Sequence, residues 1–188
     1  YTPSEHCEII TSLVNTLDLE DLVVMGQDWG GPIGIGTSLN HLERVTGLVF
    51  GNTWYWPTDR LLNTIFSRVM SSLPMEWAIV EHNFFVERLL PMGTARSLDD
   101  DDMRHYRAVQ PRPDARRGVF EFPRQLTEAR DWLGELQTQV RETSLTERPL
   151  LLTWGMQDWA FNPGHFLPRW RQDFDDVTTV EVLAPSRE

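Results

Sequence analysis

Cysteine is almost absent from this sequence: Cys7 is the single one among 188 residues. One thiol cannot make an internal disulfide or a thiolate metal cluster. Long apolar runs are missing too, and none approaches the ~20 residues needed to span a bilayer. No basic segment followed by an apolar stretch marks a signal peptide. Positive charge is scarce, with 17 Lys+Arg against 28 Asp+Glu and a formal charge of −11. An acidic chain without basic clusters is repelled by a phosphate backbone. The expectations are therefore no nucleic-acid partner, no membrane partner and a cytoplasmic location. Tyrosine is sparse as well, 3 residues against 8 Trp. What is present is ordinary for a folded chain: 40% hydrophobic and 24% charged residues, enough for one sizeable core.

The pattern along the chain alternates helix and strand at both ends. Thr2-Pro3-Ser4-Glu5 reads as a helix start, with a capping Thr, Pro in the first turn and a capping-box Glu. Ile9, Ile10, Leu13, Val14 and Leu17 follow at helical spacing. Leu22 to Met25 is a short β-branched run, expected as a buried strand ending at Gly26. Trp29 to Leu39 reads as a helix with Gly30, Gly31, Gly34 and Gly36, which implies close backbone packing. Gly47 to Gly51, Leu150 to Gly155 and Val177 to Leu183 read as further strands, and His165 to Asp173 as a helix. Such alternation predicts an α/β fold with a mostly parallel sheet. Between Thr58 and Leu126 it lapses into helical patterns (Leu61 to Met70, Glu76 to Leu90, Asp99 to Val109) punctuated by prolines. The expected organisation is a core over 1–57, a helical insertion over 58–126 and a return to the core over 127–188, opened by a helix from Glu128 to Arg141. The run Asp99 to Asp102 is read as acidic residues at a helix N-terminus, not as a cation site. It lacks the glycine and closing glutamate of a calcium loop.

One segment carries chemistry. Val23-Val24-Met25-Gly26-Gln27-Asp28-Trp29-Gly30-Gly31 is a strand, then Gly-x-Asp-x-Gly, then a helix. This is the nucleophile-elbow pattern with Asp in place of Ser. A sharp strand-to-helix turn strains the central residue, and Gly26 and Gly30 are expected to relieve the crowding. The helix N-terminus behind it favours an anion, so Asp28 is expected to stay ionised. A carboxylate needs no base to attack saturated carbon; a base is needed only to send water against the resulting ester. Alone, the motif equally describes a structural turn whose Asp caps a helix. The spacing is not Gly-x-Gly-x-x-Gly, which argues against a dinucleotide loop, and no Gly-Lys-Ser/Thr follows. A second acid, Asp158, follows the strand Leu150 to Gly155. In such sheets, ligands gather at the carboxyl ends of strands. Two carboxylates there, one attacking and one orienting a histidine, fit triad logic. Taken singly, Asp158 could equally be a helix cap.

With these motifs in view the sequence resembles the haloalkane dehalogenases, a branch of the α/β-hydrolase superfamily. The resembling segments are Gly26 to Pro32, His82 to Glu87 with Leu90 to Gly93, Met103 to Arg107, Phe122-Pro123-Arg124 and Trp154 to Asp158. The resemblance implies an α/β-hydrolase-type sheet with an inserted helical cap, here as a partial domain. It implies that Asp28 displaces halide from a haloalkane, and that Trp29 donates its indole N–H to the leaving halide and its backbone N–H to the oxyanion of the hydrolysis. It implies Asp158 as the triad acid, because the family places that acid after either of two strands and Asn52, at the other, is not an acid. Phe85 becomes a candidate substrate-pocket residue in an apolar cap. The implied partners are a small halogenated hydrocarbon and a halide ion. Water is the co-substrate, with no cofactor and no metal.

Two family parts have no match: the early His-Gly-x-Pro-type loop and the histidine beyond the last strand. The expectation is an internal fragment, with that histidine encoded just past Glu188; the piece alone should lack turnover and fold poorly. His165 mimics a Gly-His-Phe signature but precedes the last strand, so it reads as a helix start. His82 and His105 fall in the cap pattern; His6 and His41 read as helix-surface positions. Two other readings stay open. One is an epoxide hydrolase of the same superfamily, disfavoured because Tyr106 is the only Tyr well inside the cap. The other is a non-catalytic binding module, disfavoured because Asp28 and Asp158 are both present.

Overall fold

The computed structural model describes residues 2–58, 61–94 and 96–183, apart from the Leu62 side chain. The tail Ala184–Glu188, beyond which a histidine is expected, lies outside the described residues. In chain order the elements are α1 (Pro3–Thr16), β1 (Leu22–Asp28), α2 (Gly30–Leu39) and β2 (Val45–Thr53). Then come α3 (Leu61–Met70), α4 (Leu73–Val80), α5 (Leu90–Gly93), α6 (Asp100–Val109) and α7 (Arg117–Glu128). The chain ends with α8 (Arg130–Glu142), β3 (Leu150–Gly155), α9 (Pro163–Asp173) and β4 (Val177–Val182). It divides into two compact units, Thr58–Glu128 and Pro3–Pro57 with Ala129–Glu188.

The discontinuous unit is an α/β layer. Its strands run parallel in the order β1-β2-β3-β4. Parallel neighbours need long crossovers, and helices such as α2 and α9 supply them. α2 packs on β1, β2, α1 and α8. The glycines make this approach possible. A side chain on Gly34 would press on Val24 and Phe50, and one on Gly36 would meet the Cys7 sulfur.

Several sequence expectations change here. The run Leu22 to Met25 is not a buried strand: Val23 is 61% and Met25 78% exposed, so only one face of β1 is packed. The apolar stripe of α1 is likewise open at Ile9, Ile10 and Leu13, and Leu17 just past it is exposed, while Cys7 and Val14 are buried. Periodicity reports which face is apolar, not whether something covers it. His41 is not on a surface but is 3% exposed. Its Nδ1 lies 3.0 Å from the Thr37 carbonyl and its Nε2 3.0 Å from Asn15 Oδ1, so the ring bridges the ends of α2 and α1.

The core between sheet and helices is aromatic. Phe50, Trp54, Tyr55, Trp56, Trp154 and Trp170 are all buried. Trp170 stacks on Phe50 at 5.3 Å and meets Tyr55 at 4.8 Å. Its indole N–H donates to the Thr53 carbonyl at 3.1 Å, and that of Trp154 to the Phe161 carbonyl at 2.9 Å. Each of these two indoles thus buries its apolar body and still satisfies its one donor. Tyr55 donates to Asp173 Oδ2 at 2.6 Å, while Arg141 Nε holds the other oxygen at 2.8 Å. Burial and this acceptor push the phenol well above its ordinary range.

The second unit is helical. α7 packs on α3 and α4, and Ser67 Oγ meets Thr127 Oγ1 at 3.1 Å between α3 and α7. Three expectations needed correction. The segment Glu76 to Leu90 is not one helix: α4 stops at Val80, Asn83 takes a left-handed φ of 52°, and a π-helical turn follows over Phe85–Leu89. The helix expected from Glu128 starts at Arg130 instead, and α7 ahead of it was unforeseen. Pro123 had read as punctuation, yet it sits buried inside α7. It forgoes one backbone hydrogen bond there and is held by packing. The acidic run behaves as expected of a helix start, since Asp99 caps α6 by accepting from Asp102 N at 2.8 Å. Ion pairs such as Arg44 with Asp18, Arg107 with Glu87 and Arg141 with Asp173 use arginine, as the sequence contains no lysine. Among the described residues no helix is long and apolar enough to cross a membrane.

The two glycines that begin α2 should behave oppositely. A methyl group on Gly31 would drive into the Thr53 side chain, whereas one on Gly30 meets nothing. Gly31→Ala should lower stability by about 1–3 kcal/mol or more. Gly30→Ala should be neutral or gain up to about 1 kcal/mol from helix propensity. Urea midpoints of the two full-length variants check this.

Candidate active site

The site is assembled at the carboxyl ends of β1, β2 and β3. β1 ends at Asp28, which has a left-handed φ of 51°. A non-glycine residue there is strained by roughly 1–3 kcal/mol and needs its surroundings to hold it. Trp29 follows in helical geometry (φ −60°, ψ −17°), and Ile33 N–H donates to the Trp29 carbonyl at 3.2 Å, so the helix starts at once. The turn is possible because Gly26 has no side chain; a Cβ there would overlap the Gly30 carbonyl. Gly30, expected to relieve crowding itself, contributes only its backbone. A tie comes from β2. The Thr53 hydroxyl donates to the Asp28 carbonyl, where the β1–β2 register shifts between Gln27 and Asp28.

The Asp28 carboxylate feels opposing influences. It keeps a solvent-open side, but the protein around it removes much of its hydration and raises its pKa. The Trp29 backbone N–H donates to it and lowers the pKa, and the Asp158 charge raises it. Burial wins, at about 6 against an ordinary 3.8. Asp28 is therefore ionised above about pH 6 and protonated below it. Trp29 is 9% exposed and packs edge-on against Trp54, with ring centroids 4.9 Å apart.

Asp158 lies in the turn after β3, half-buried. It does not cap α9, whose N-cap is Asn162. Instead its Oδ1 accepts the backbone N–H groups of Ala160 at 2.8 Å and Phe161 at 3.0 Å. Its Oδ2 accepts from Asn52 Nδ2 at 2.9 Å. Asp28 and Asp158 thus leave strands that flank β2 on either side, with strand axes about 10 Å apart. Phe85 belongs to the helical unit, where it opens the π-turn and is half-buried. His165 sits in the first turn of α9, its N–H on the Asn162 carbonyl at 3.0 Å. Among the described residues no group of three or more His, Cys, Asp or Glu could hold a metal ion.

Two residues of the site were missed from sequence. Asn52 had been set aside because it is not an acid, and Thr53 was not considered. The available signal was a Gly-Asn pair at the end of a strand, since Asn tolerates the left-handed region. Asn52 has φ 40°.

The family model described as alpha/beta hydrolase fold matches residues 1–186. The chain belongs to the α/β hydrolase fold family. It is 48% identical over 182 residues to haloalkane dehalogenase 2 of Mycobacterium tuberculosis (strain H37Rv), a match that covers 97% of this chain and 63% of that protein. A haloalkane dehalogenase of Mesorhizobium japonicum is 28% identical over 130 residues, covering 65% of this chain and 42% of that one. Among solved structures, haloalkane dehalogenase DbeA from Bradyrhizobium elkani superposes with a TM-score of 0.83 at 21% identity, over 98% of this chain and 66% of that one. Haloalkane dehalogenase DatA from Agrobacterium tumefaciens C58 gives 0.83 at 17% identity, over 98% and 66%. At those identities the structural likeness concerns the α/β hydrolase fold. The chain spans about 63% of the length of the curated relatives with which it shares 48% identity.

The raised pKa of Asp28 has a stability consequence. Its folded value of about 6 lies above the unfolded 3.8, so the folded state holds the proton more tightly. Between those values stability falls as pH rises. Asp28→Asn, which keeps the left-handed turn, should therefore melt higher than the parent above about pH 6. The gain should vanish below about pH 4, where both states are protonated. A series of thermal melts across pH reads this directly.

Proposed function

We propose that the full-length protein containing this span is a hydrolase that converts haloalkanes to alcohols and halide. The observation that carries the reading is a carboxylate, in place of a hydroxyl, at the left-handed elbow of an α/β hydrolase chain. The 48% identity to haloalkane dehalogenase 2 over almost the whole chain supports the same chemistry.

In the proposed first step an Asp28 oxygen attacks the halogen-bearing carbon. The carbon–halogen bond breaks, its electron pair leaves with the halide, and an alkyl ester remains on Asp28. No proton moves, so the step needs only ionised Asp28. The Trp29 indole would donate to the departing halide; an indole N–H has no lone pair to repel an anion. In the second step water attacks the ester carbonyl carbon, with its proton passing to a histidine. The Trp29 backbone N–H would stabilise the oxyanion; as it collapses the histidine returns its proton to the leaving alkoxide, which departs as alcohol, and the water's second proton passes to solvent, restoring the Asp28 carboxylate. Asp158 would orient that histidine and stabilise its charged form. We place the histidine in sequence beyond Glu188, within the part of the relatives' length that this span does not cover. The helical unit is proposed as a cap. Phe85 is proposed as a substrate-pocket residue on the resemblance of its Asn-Phe-Phe segment. Water is the only co-substrate in this scheme.

The full-length protein should release halide continuously from short chloro- and bromoalkanes, with kcat/KM falling as pH drops through about 6, where Asp28 takes up a proton. Asp28→Asn should abolish release. Trp29→Phe should lower kcat by about 100-fold or more, the scale seen when one donor to developing negative charge is removed. Absence of halide release by the unsubstituted protein, with epoxide opening in its place, would sink the reading.

A further inference from the structure

We propose that Asn52 is a positioning residue: it sets the orientation of the Asp158 carboxylate and so governs hydrolysis of the ester but not its formation. The inference rests on the dehalogenase reading above and names a residue that reading does not use.

The geometry starts from the sheet. β2 lies between β1 and β3, so the residue leaving its carboxyl end stands beside the exits of both. Asn52, the penultimate residue of β2, has φ 40°, which turns its side chain out of the strand's alternation. The side chain reaches across to β3 and closes on two groups there. Its Oδ1 accepts the Gly155 backbone N–H at 2.8 Å. Its Nδ2 donates to Asp158 Oδ2 at 2.9 Å, with a longer contact to the Gly155 carbonyl at 3.4 Å. The Gly155 N–H demands an acceptor, so it fixes which end of the amide is oxygen and points the NH2 at Asp158.

The carboxylate is held at both ends. Ala160 and Phe161 N–H groups take Oδ1, and Asn52 takes one side of Oδ2. Only the remaining lone pair of Oδ2 is left for an imidazole N–H. A neutral amide suits this task better than a cation would. Arg or Lys at this place would ion-pair with Asp158 and spend the charge that must stabilise the imidazolium. The amide fixes direction and leaves the charge intact. Asp28 attacks carbon without any help from Asp158, so loss of Asn52 should spare the first step.

The test uses the full-length protein and rapid-quench kinetics with a bromoalkane. Asn52→Gly keeps the left-handed turn and removes the amide. It should give an undiminished, stoichiometric burst of bromide followed by turnover slowed about 10- to 100-fold, as expected when a catalytic group is misplaced by about an ångström. Mass spectrometry should show the alkyl group accumulating on the Asp28 peptide. In an Asp158→Asn background the same substitution should not slow decay of the ester further, because the residue it acts through is already lost. If Asn52→Gly does not stay folded at assay temperature, Asn52→Ser, whose hydroxyl stops short of both partners, carries the same expectation. Unslowed turnover, an equal loss of burst and turnover, or additive slowing in the Asp158→Asn background would each overturn the assignment of Asn52. Absence of bromide release by the unsubstituted protein would overturn the dehalogenase reading, and this assignment with it.

Discussion

Two neighbouring parallel strands each carry a left-handed residue at or next to their carboxyl end, and the arrangement of the candidate site depends on them. Asp28 at the end of β1 has φ 51°, and Asn52 near the end of β2 has φ 40°. Neither conformation is cheap for a residue with a Cβ. Both persist because the surroundings leave no alternative. The bare Gly26 lets α2 begin immediately after Asp28, and the Thr53 hydroxyl grips the Asp28 carbonyl. Asn52 is pinned from the other side by Gly155 and Asp158. The last residues of the central strand therefore hold a carboxylate site on each flank.

Beneath this edge lies an aromatic layer. Trp54 packs on Trp29 and on Phe161, and Trp170 joins Phe50 and Tyr55 to the Thr53 backbone. Displaced water outweighs the Trp29 N–H at Asp28, with the Asp158 charge adding to the rise, and its carboxyl moves to about 6. A carboxylate with this value is still charged at pH 7 and above.

The fold was legible where local pattern and tertiary outcome agree. The four strands, the glycine-rich helix α2 and the elbow came directly from β-branching, glycine spacing and punctuation. Asp28 and Asp158 were singled out by their places at strand ends, and Trp29 by the family resemblance. Legibility failed where long-range packing overrides a local rule. Pro123 reads as a helix stop, yet packing holds it inside α7. Glu76 to Leu90 reads as one helix, yet Asn83 breaks it and a π-turn follows. His41 reads as a surface residue because nothing in a sequence says that Asn15 and the Thr37 carbonyl will meet its ring. Asn52 was passed over because an amide announces no chemistry until its neighbours are known.

The sequence by itself determined the alternation of strand and helix, the sharp turn at Gly26-Gln27-Asp28 and the choice of a carboxylate to sit in it. These are local properties, set by backbone freedom and by the period of apolar residues. Only the tertiary structure decided which strands are neighbours, and so which side chains share the site. Asn52 and Asp158 are 106 residues apart in sequence, and their hydrogen bond exists because β2 pairs with β3. The state of Asp28 was decided there too, since its pKa reports how much water the surrounding protein displaces, a quantity that no short segment contains.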